Sequence, residues 1–208
     1  MNIIFPCFTN IERIFSIQCA PIDAWNLQYK FEADKYISQI TLPDRPILKP
    51  IFRFKQNVDR SAFSGEGLYI ILSDRYPVYY IGQSTNGLKN RLYTHVVKML
   101  GLNAGHSVNH TSGWRPFALK RYIFEARHDA LSDIWISFTH IKAAKNYERS
   151  AWTQLNDFIA SRSNINPNEH FKLTTTTSGN EMCHCTFPDN ITNIIDNWSK
   201  LENRNIQS

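Results

Sequence analysis

Two apolar runs, Gly67–Leu72 (GLYIIL) and Val78–Gly82 (VYYIG), flank the polar stretch Ser73-Asp74-Arg75-Tyr76-Pro77. Short apolar runs bounded by turn residues read as buried strands, so this segment predicts a β-hairpin. From Gly87 to Leu100 the apolar positions are Leu88, Leu92, Val96 and Met99/Leu100, a helical stripe that Gly101 terminates. Ile134–Ile141 (IWISFTHI) alternates well enough for a third strand, and Ala144, Tyr147, Ala151, Leu155 and Phe158 recur at helical spacing across Ala144–Ala160. Asn164–Asn168, with Pro167, closes that helix, and a last helix is predicted near Ile191–Leu201 with Asp189 or Asn190 as its N-cap.

The remainder is less regular. Pro6, Pro21, Pro43, Pro46 and Pro50 break residues 1–62 into short pieces, with a helix expected around Ala33–Ile40. Residues 101–132 read as an insertion, with a strand or helix at Phe117–Ala126. Thr174–Thr177 reads as a short strand and turn or as a loop. The expected organisation is an arm over residues 1–62 that packs on the core or contacts DNA or a second copy, a core over 63–170, and a C-terminal extension over 171–208. The expected fold class is α/β, with a small, mainly antiparallel three-stranded sheet flanked by helices.

Composition narrows the class. At 208 residues, with 42% hydrophobic, 13% aromatic and 20% charged side chains, the chain can bury one good core and does not read as disordered. It holds no apolar run of about 18 residues and no signal-peptide pattern at its start, so a cytoplasmic protein without a membrane span is expected. The net charge of +5 is unevenly spread: residues 86–145 hold nine Lys/Arg against three Asp/Glu, while residues 146–208 hold five against seven. A basic block directly after the hairpin suits a polyanionic partner. The four cysteines should be ordinary reduced thiols, since Cys183-His184-Cys185 with Cys7 or Cys19 lacks the spacing of a zinc finger or ribbon.

The chemistry concentrates in the hairpin and the helix after it. Arg91 and His95 are four residues apart and share a helix face, which can point at the strands carrying Tyr69 and Tyr80. Hydrolysing a phosphodiester needs a deprotonated water, neutralisation of the transition-state charge and stabilisation of the departing oxygen. A guanidinium fork such as Arg91 suits the second task, and a carboxylate holding a hard divalent ion suits the third. A tyrosine base is credible only if nearby positive charge or a hydrogen-bonded histidine lowers the phenol's usual pKa of about 10. Taken singly, the tyrosines also read as packing residues, Arg91 and His95 as a solvated face, and Glu148 as a surface glutamate.

Their order resembles the GIY-YIG nuclease family. Gly67-Leu68-Tyr69 stands for the first tripeptide, with Leu in place of Ile, and Tyr80-Ile81-Gly82 matches the second in full. Arg91 and His95 follow on the helix, and Glu148 lies in the later helix. The resemblance covers about half the chain. It implies a metal-dependent endonuclease acting on double-stranded DNA, with Tyr69 as general base or its partner aided by His95, Tyr80 orienting water or phosphate, Arg91 stabilising the transition state, and Glu148 holding Mg²⁺ (or Mn²⁺). It also implies a late asparagine, for which Asn166 is preferred over Asn164 and Asn168. Lys89 and the insertion's Arg115, Lys120 and Arg121 are the expected nucleic-acid contacts. Within the family, a compact chain without an added zinc finger or helix-turn-helix fits a Type II restriction enzyme. A repair or mobile-element nuclease and a non-catalytic nucleic-acid-binding module of the same fold are the alternatives. A palindromic target would favour a homodimer.

Overall fold

The computed structural model describes residues 1–18, 51–75, 77–99, 132–163 and 179–205. In chain order its elements are β1 (Asn2–Ile4), β2 (Thr9–Asn10), α1 (Ile11–Ile14), β3 (Phe15–Gln18), β4 (Ile51–Phe54), a 3-10 turn (Arg60–Phe63), β5 (Gly67–Ser73), β6 (Tyr79–Ser84), α2 (Leu88–Met99), β7 (Ile134–His140), α3 (Ala144–Ala160), β8 (His184–Thr186) and α4 (Asn190–Asn205). The fold is mixed α/β. The expected elements at Ala33–Ile40, Phe117–Ala126 and Thr174–Thr177 lie outside the described residues.

β5 is buried along its whole length, as its uninterrupted apolar sequence requires. It pairs antiparallel with β6 on one side and with β7 on the other. The sequence predicts three strands here, but the sheet has four, in the order β2-β7-β5-β6. The addition is β2, whose Thr9 and Asn10 pair antiparallel with Ile136 and Trp135. Two residues carry no alternation to read, so only tertiary pairing reveals this strand.

Strand alternation divides the sheet into two faces. Leu68, Ile70 and Leu72, with Tyr79 and Ile81, join one core with Ala144, Ala151, Leu155 and Ile159 of α3 and Ile191, Ile194, Ile195 and Trp198 of α4. Ile3, Phe5 and Phe8 from the start of the chain belong to the same core. The N-terminal segment is held by polar clips as well as burial. The Asn190 side chain accepts from the Phe8 N–H at 3.0 Å and donates to its C=O at 2.8 Å, while the Ser137 hydroxyl donates to the Pro6 C=O at 2.7 Å.

The opposite sheet face presents Tyr69 and Gly82 towards α2. Leu88 and Leu92 anchor that helix in the core.

β1 and β8 form a separate parallel pair, with Ile3 opposite Cys185. The other edge of β8 is occupied by one side chain. Gln154 of α3 donates from Nε2 to the Cys183 C=O at 2.8 Å and accepts from the Cys185 N–H at 2.8 Å, which is how a neighbouring strand would bond. Ser150, one turn earlier, accepts from the Cys183 N–H at 3.1 Å. α3 is thereby strapped to the end of the chain. Its own start has a left-handed Ala143 (φ 53°) and no capping side chain of its own. Glu66, just before β5, supplies the cap, accepting from the Ala144 N–H at 3.1 Å.

Trp198 is fully buried, and its indole N–H donates to the Ser73 C=O at 2.7 Å. Trp198→Ala is expected to lower stability by about 3–5 kcal/mol through the cavity it leaves. Trp198→Phe keeps most of the packing but strands the carbonyl, and should cost about 1–3 kcal/mol. Denaturant unfolding measures both, and an undiminished stability of Trp198→Phe would mean that the hydrogen bond contributes nothing.

Candidate active site

The two motif glycines make the site geometrically feasible. A side chain at Gly67 would place Cβ 2.1 Å from the Thr139 carbonyl oxygen and 2.8 Å from the Phe138 ring, so β5 could not lie against β7. At Gly82, Cβ would fall 2.6 Å from the Tyr69 hydroxyl oxygen and 2.7 Å from the Tyr80 ring. Tyr69 is directly opposite Gly82 in the β5–β6 register, so its ring lies across the space that any other residue there would fill.

Tyr69 is 1% exposed, and its hydroxyl is 2.8 Å from His95 Nε2. The two rings are edge-on, with centroids 5.6 Å apart. Tyr80 completes the cluster, its centroid 5.9 Å from Tyr69 and 4.6 Å from His95. The two phenol hydroxyls are hydrogen-bonded to each other. Each phenol has one proton, so the imidazole tautomer decides which groups donate along this chain. When Nε2 is bare, Tyr69 donates to it.

Electrostatics correct one expectation. A tyrosine base calls for a lowered pKa, but both phenols are held above the ordinary tyrosine value. For Tyr69 burial is the main cause, followed by the neighbouring Tyr80 charge, and these outweigh Arg91, which pulls in the other direction. For Tyr80 burial again leads and the Glu148 carboxylate adds to it, while the Tyr69 hydrogen bond and Arg91 oppose. Charges on the sequence can be counted, but the desolvation that outweighs them cannot. Neither phenol exists as a free phenolate near neutral pH.

The remaining site residues divide by location. His95 is buried, so it is not part of a solvated helix face, whereas Arg91 is exposed. Glu148 is only 8% exposed, which rules out the surface-glutamate reading. It occupies the buried stripe of α3 with Ala144, Ala151, Leu155 and Ile159. A carboxylate at a core-facing helical position was the available sequence signal for a functional role, and the stripe drawn through Tyr147 and Phe158 obscured it. Those two side chains are only partly buried. Glu66 was missed altogether, because capping a helix 78 residues away leaves no local pattern.

Lys89 is exposed, with its ammonium 5.9 Å from the centre of the Phe54 ring. Asn166, Arg115, Lys120 and Arg121 lie outside the described residues. The Cys183 and Cys185 thiols are buried 3.7 Å apart, and burial raises the Cys185 thiol further from ionisation. Among the described residues no three His, Cys, Asp or Glu side chains gather around one point. The Glu148 carboxylate, acting on both phenols, fits an ion bound through one carboxylate and water, the usual habit of Mg²⁺. No protein-family model, curated protein or solved structure matches the chain. Among the described residues no helix is long and apolar enough to cross a membrane.

Gly82→Ala should displace Tyr69 and lower stability by about 1–3 kcal/mol, the usual range for overpacking. Tyr69→Phe in the same chain removes the nearest clashing atom and should recover part of that loss. Thermal unfolding of the two single variants and the double variant gives the coupling. Strict additivity would show that the Gly82 vacancy does not serve the hydroxyl.

Proposed function

We propose that the chain is a metal-dependent endonuclease of the GIY-YIG type, hydrolysing phosphodiester bonds of double-stranded DNA as a sequence-specific Type II restriction enzyme. The observation that carries this reading is the buried Tyr69–His95 hydrogen bond with Tyr80 packed against both rings. A buried histidine–phenol pair with a second phenol beside it marks a candidate site for proton transfer.

The raised phenol values select the way a proton moves. A free phenolate is not available, so Tyr69 acts as a relay. Its oxygen takes the proton of the attacking water while its own proton passes to His95 Nε2. A bare imidazole nitrogen is a better final acceptor than a phenol oxygen. Tyr80, bonded to Tyr69, orients the water. Arg91 faces solvent beside the phenols and neutralises the charge that develops on the phosphate. Glu148 holds the divalent ion, Mg²⁺ or Mn²⁺, which when bound supplies positive charge at the departing oxygen.

Digestion of unmethylated plasmid with Mg²⁺ is the primary test. Discrete bands are expected, a smear would mean a nonspecific nuclease, and a gel shift without cutting would mean a binding module. Glu148→Ala should abolish cleavage and leave DNA binding nearly intact, so normal cutting by that variant would overturn the metal assignment.

Tyr69→Phe should reduce single-turnover cleavage by about 10²–10⁴, the range for losing general-base assistance. The pH profile separates relay from phenolate. A relay needs no phenolate, so the rate should stay level through the range below phenol ionisation. A phenolate base with a pKa above 10 would instead make the rate climb tenfold per unit through pH 9. A continuing climb would sink the relay.

A further inference from the structure

β3 and β4 form a two-stranded antiparallel ribbon before the core motif, with Phe15 opposite Phe54 and Ser16 opposite Arg53. Its two faces differ. Phe15 and Phe52 are buried and stacked with ring centroids 4.2 Å apart, and Phe54 lies tilted beside Phe15 at 4.6 Å. This aromatic face seals onto Phe63 of the 3-10 turn and Tyr93 of α2. The opposite face presents Ser16 and Arg53, both exposed. Exposed Lys55 directly follows β4, and exposed Lys89 reaches the Phe54 ring. Asp59, four residues further on from Lys55, accepts from the N–H and hydroxyl of Ser61, at 2.9 and 2.6 Å.

We propose that this ribbon is the element that reads DNA sequence, its outer face entering the major groove with Arg53 directed at base edges and Lys55 on a flanking phosphate. The proposal rests on the nuclease reading only for its partner, double-stranded DNA. A major groove admits a two-stranded ribbon, and arginine is the commonest reader of guanine because its fork matches two acceptors. The aromatic inner face anchors the ribbon rigidly, as a base-reading element requires. Lys89 and Tyr93 meet the ribbon on one side of α2, while Arg91 and His95 serve the tyrosines on another, so the ribbon and the tyrosine cluster flank the same helix.

The test is gel-shift selection from a pool of short duplexes with a randomised centre, using the full chain without divalent ions, alongside plasmid cleavage in Mg²⁺. Wild type should enrich a defined sequence. Arg53→Ala should relax one or two positions of it, losing about ten- to a hundredfold in discrimination. Arg53→Lys should not restore them, because a point charge lacks the fork. Lys55→Ala should weaken binding to all duplexes alike and reduce the salt slope by about one. Unchanged thermal unfolding of Arg53→Ala is expected, since the side chain is exposed. If Arg53→Ala enriches the wild-type sequence with undiminished discrimination, the ribbon proposal is overturned while cleavage still supports the nuclease. Sequence enrichment that depends on Arg53 in a chain that never cuts would sustain the ribbon and sink the nuclease. Failure of wild type to bind duplex DNA, or concentration-dependent dimerisation abolished by Arg53→Ala with DNA binding intact, would overturn the ribbon assignment.

Discussion

A phenol hydroxyl buried between two strands and a helix must find a partner, because leaving it unsatisfied costs about 1–3 kcal/mol. For Tyr69 that partner is His95, and much of the surrounding arrangement follows from their 2.8 Å contact. The ring can reach His95 only because Gly82 leaves its path open. The contact sets the rotation of α2, which puts Arg91 on the same side as His95 and turns Lys89 and Tyr93 towards the β3–β4 ribbon. A single polar contact therefore orients the helix from which the site, its cation and the neighbouring ribbon are all placed.

α3 is positioned by different means. Its start is capped by Glu66, next to the first residue of β5, and its middle is strapped to β8 by Ser150 and Gln154. Glu148 lies between these attachments, in the buried stripe. From there its carboxylate adds to the burial that keeps the Tyr80 phenol protonated.

Much of this was legible in the residues. The long apolar runs of β5 and β7 and the seventeen-residue periodicity of α3 identify themselves, since a period repeated several times survives local irregularity. The candidate residues Tyr69, Tyr80, Arg91, His95 and Glu148 were legible as an order and spacing, and they lie on the expected elements, while Asn166 lies outside the described residues. What could not be read was anything decided by distant partners. β1, β2 and β8 have two or three residues each and acquire their structure from pairing. Gln154 acting as a surrogate strand has no sequence signature. The direction of the tyrosine shifts failed for a related reason: Arg91 is visible in the sequence, whereas the desolvation of Tyr69 is a property of the packed sheet.

The pairing of β1 with β8 carries a consequence for how the chain reaches this state. Asn2 lies beside His184, and Phe8 is clipped by Asn190, so the opening residues find their partners only about 180 positions later. Contacts this distant in sequence close large loops and form late. During synthesis the first strand emerges with no neighbour to bond. Its apolar Ile3, Phe5 and Phe8 must wait until β8 and α4 have left the ribosome. The strap on α3 is made by Cys183 and Cys185, so the helix carrying Glu148 takes its final place only after β8 is available to it.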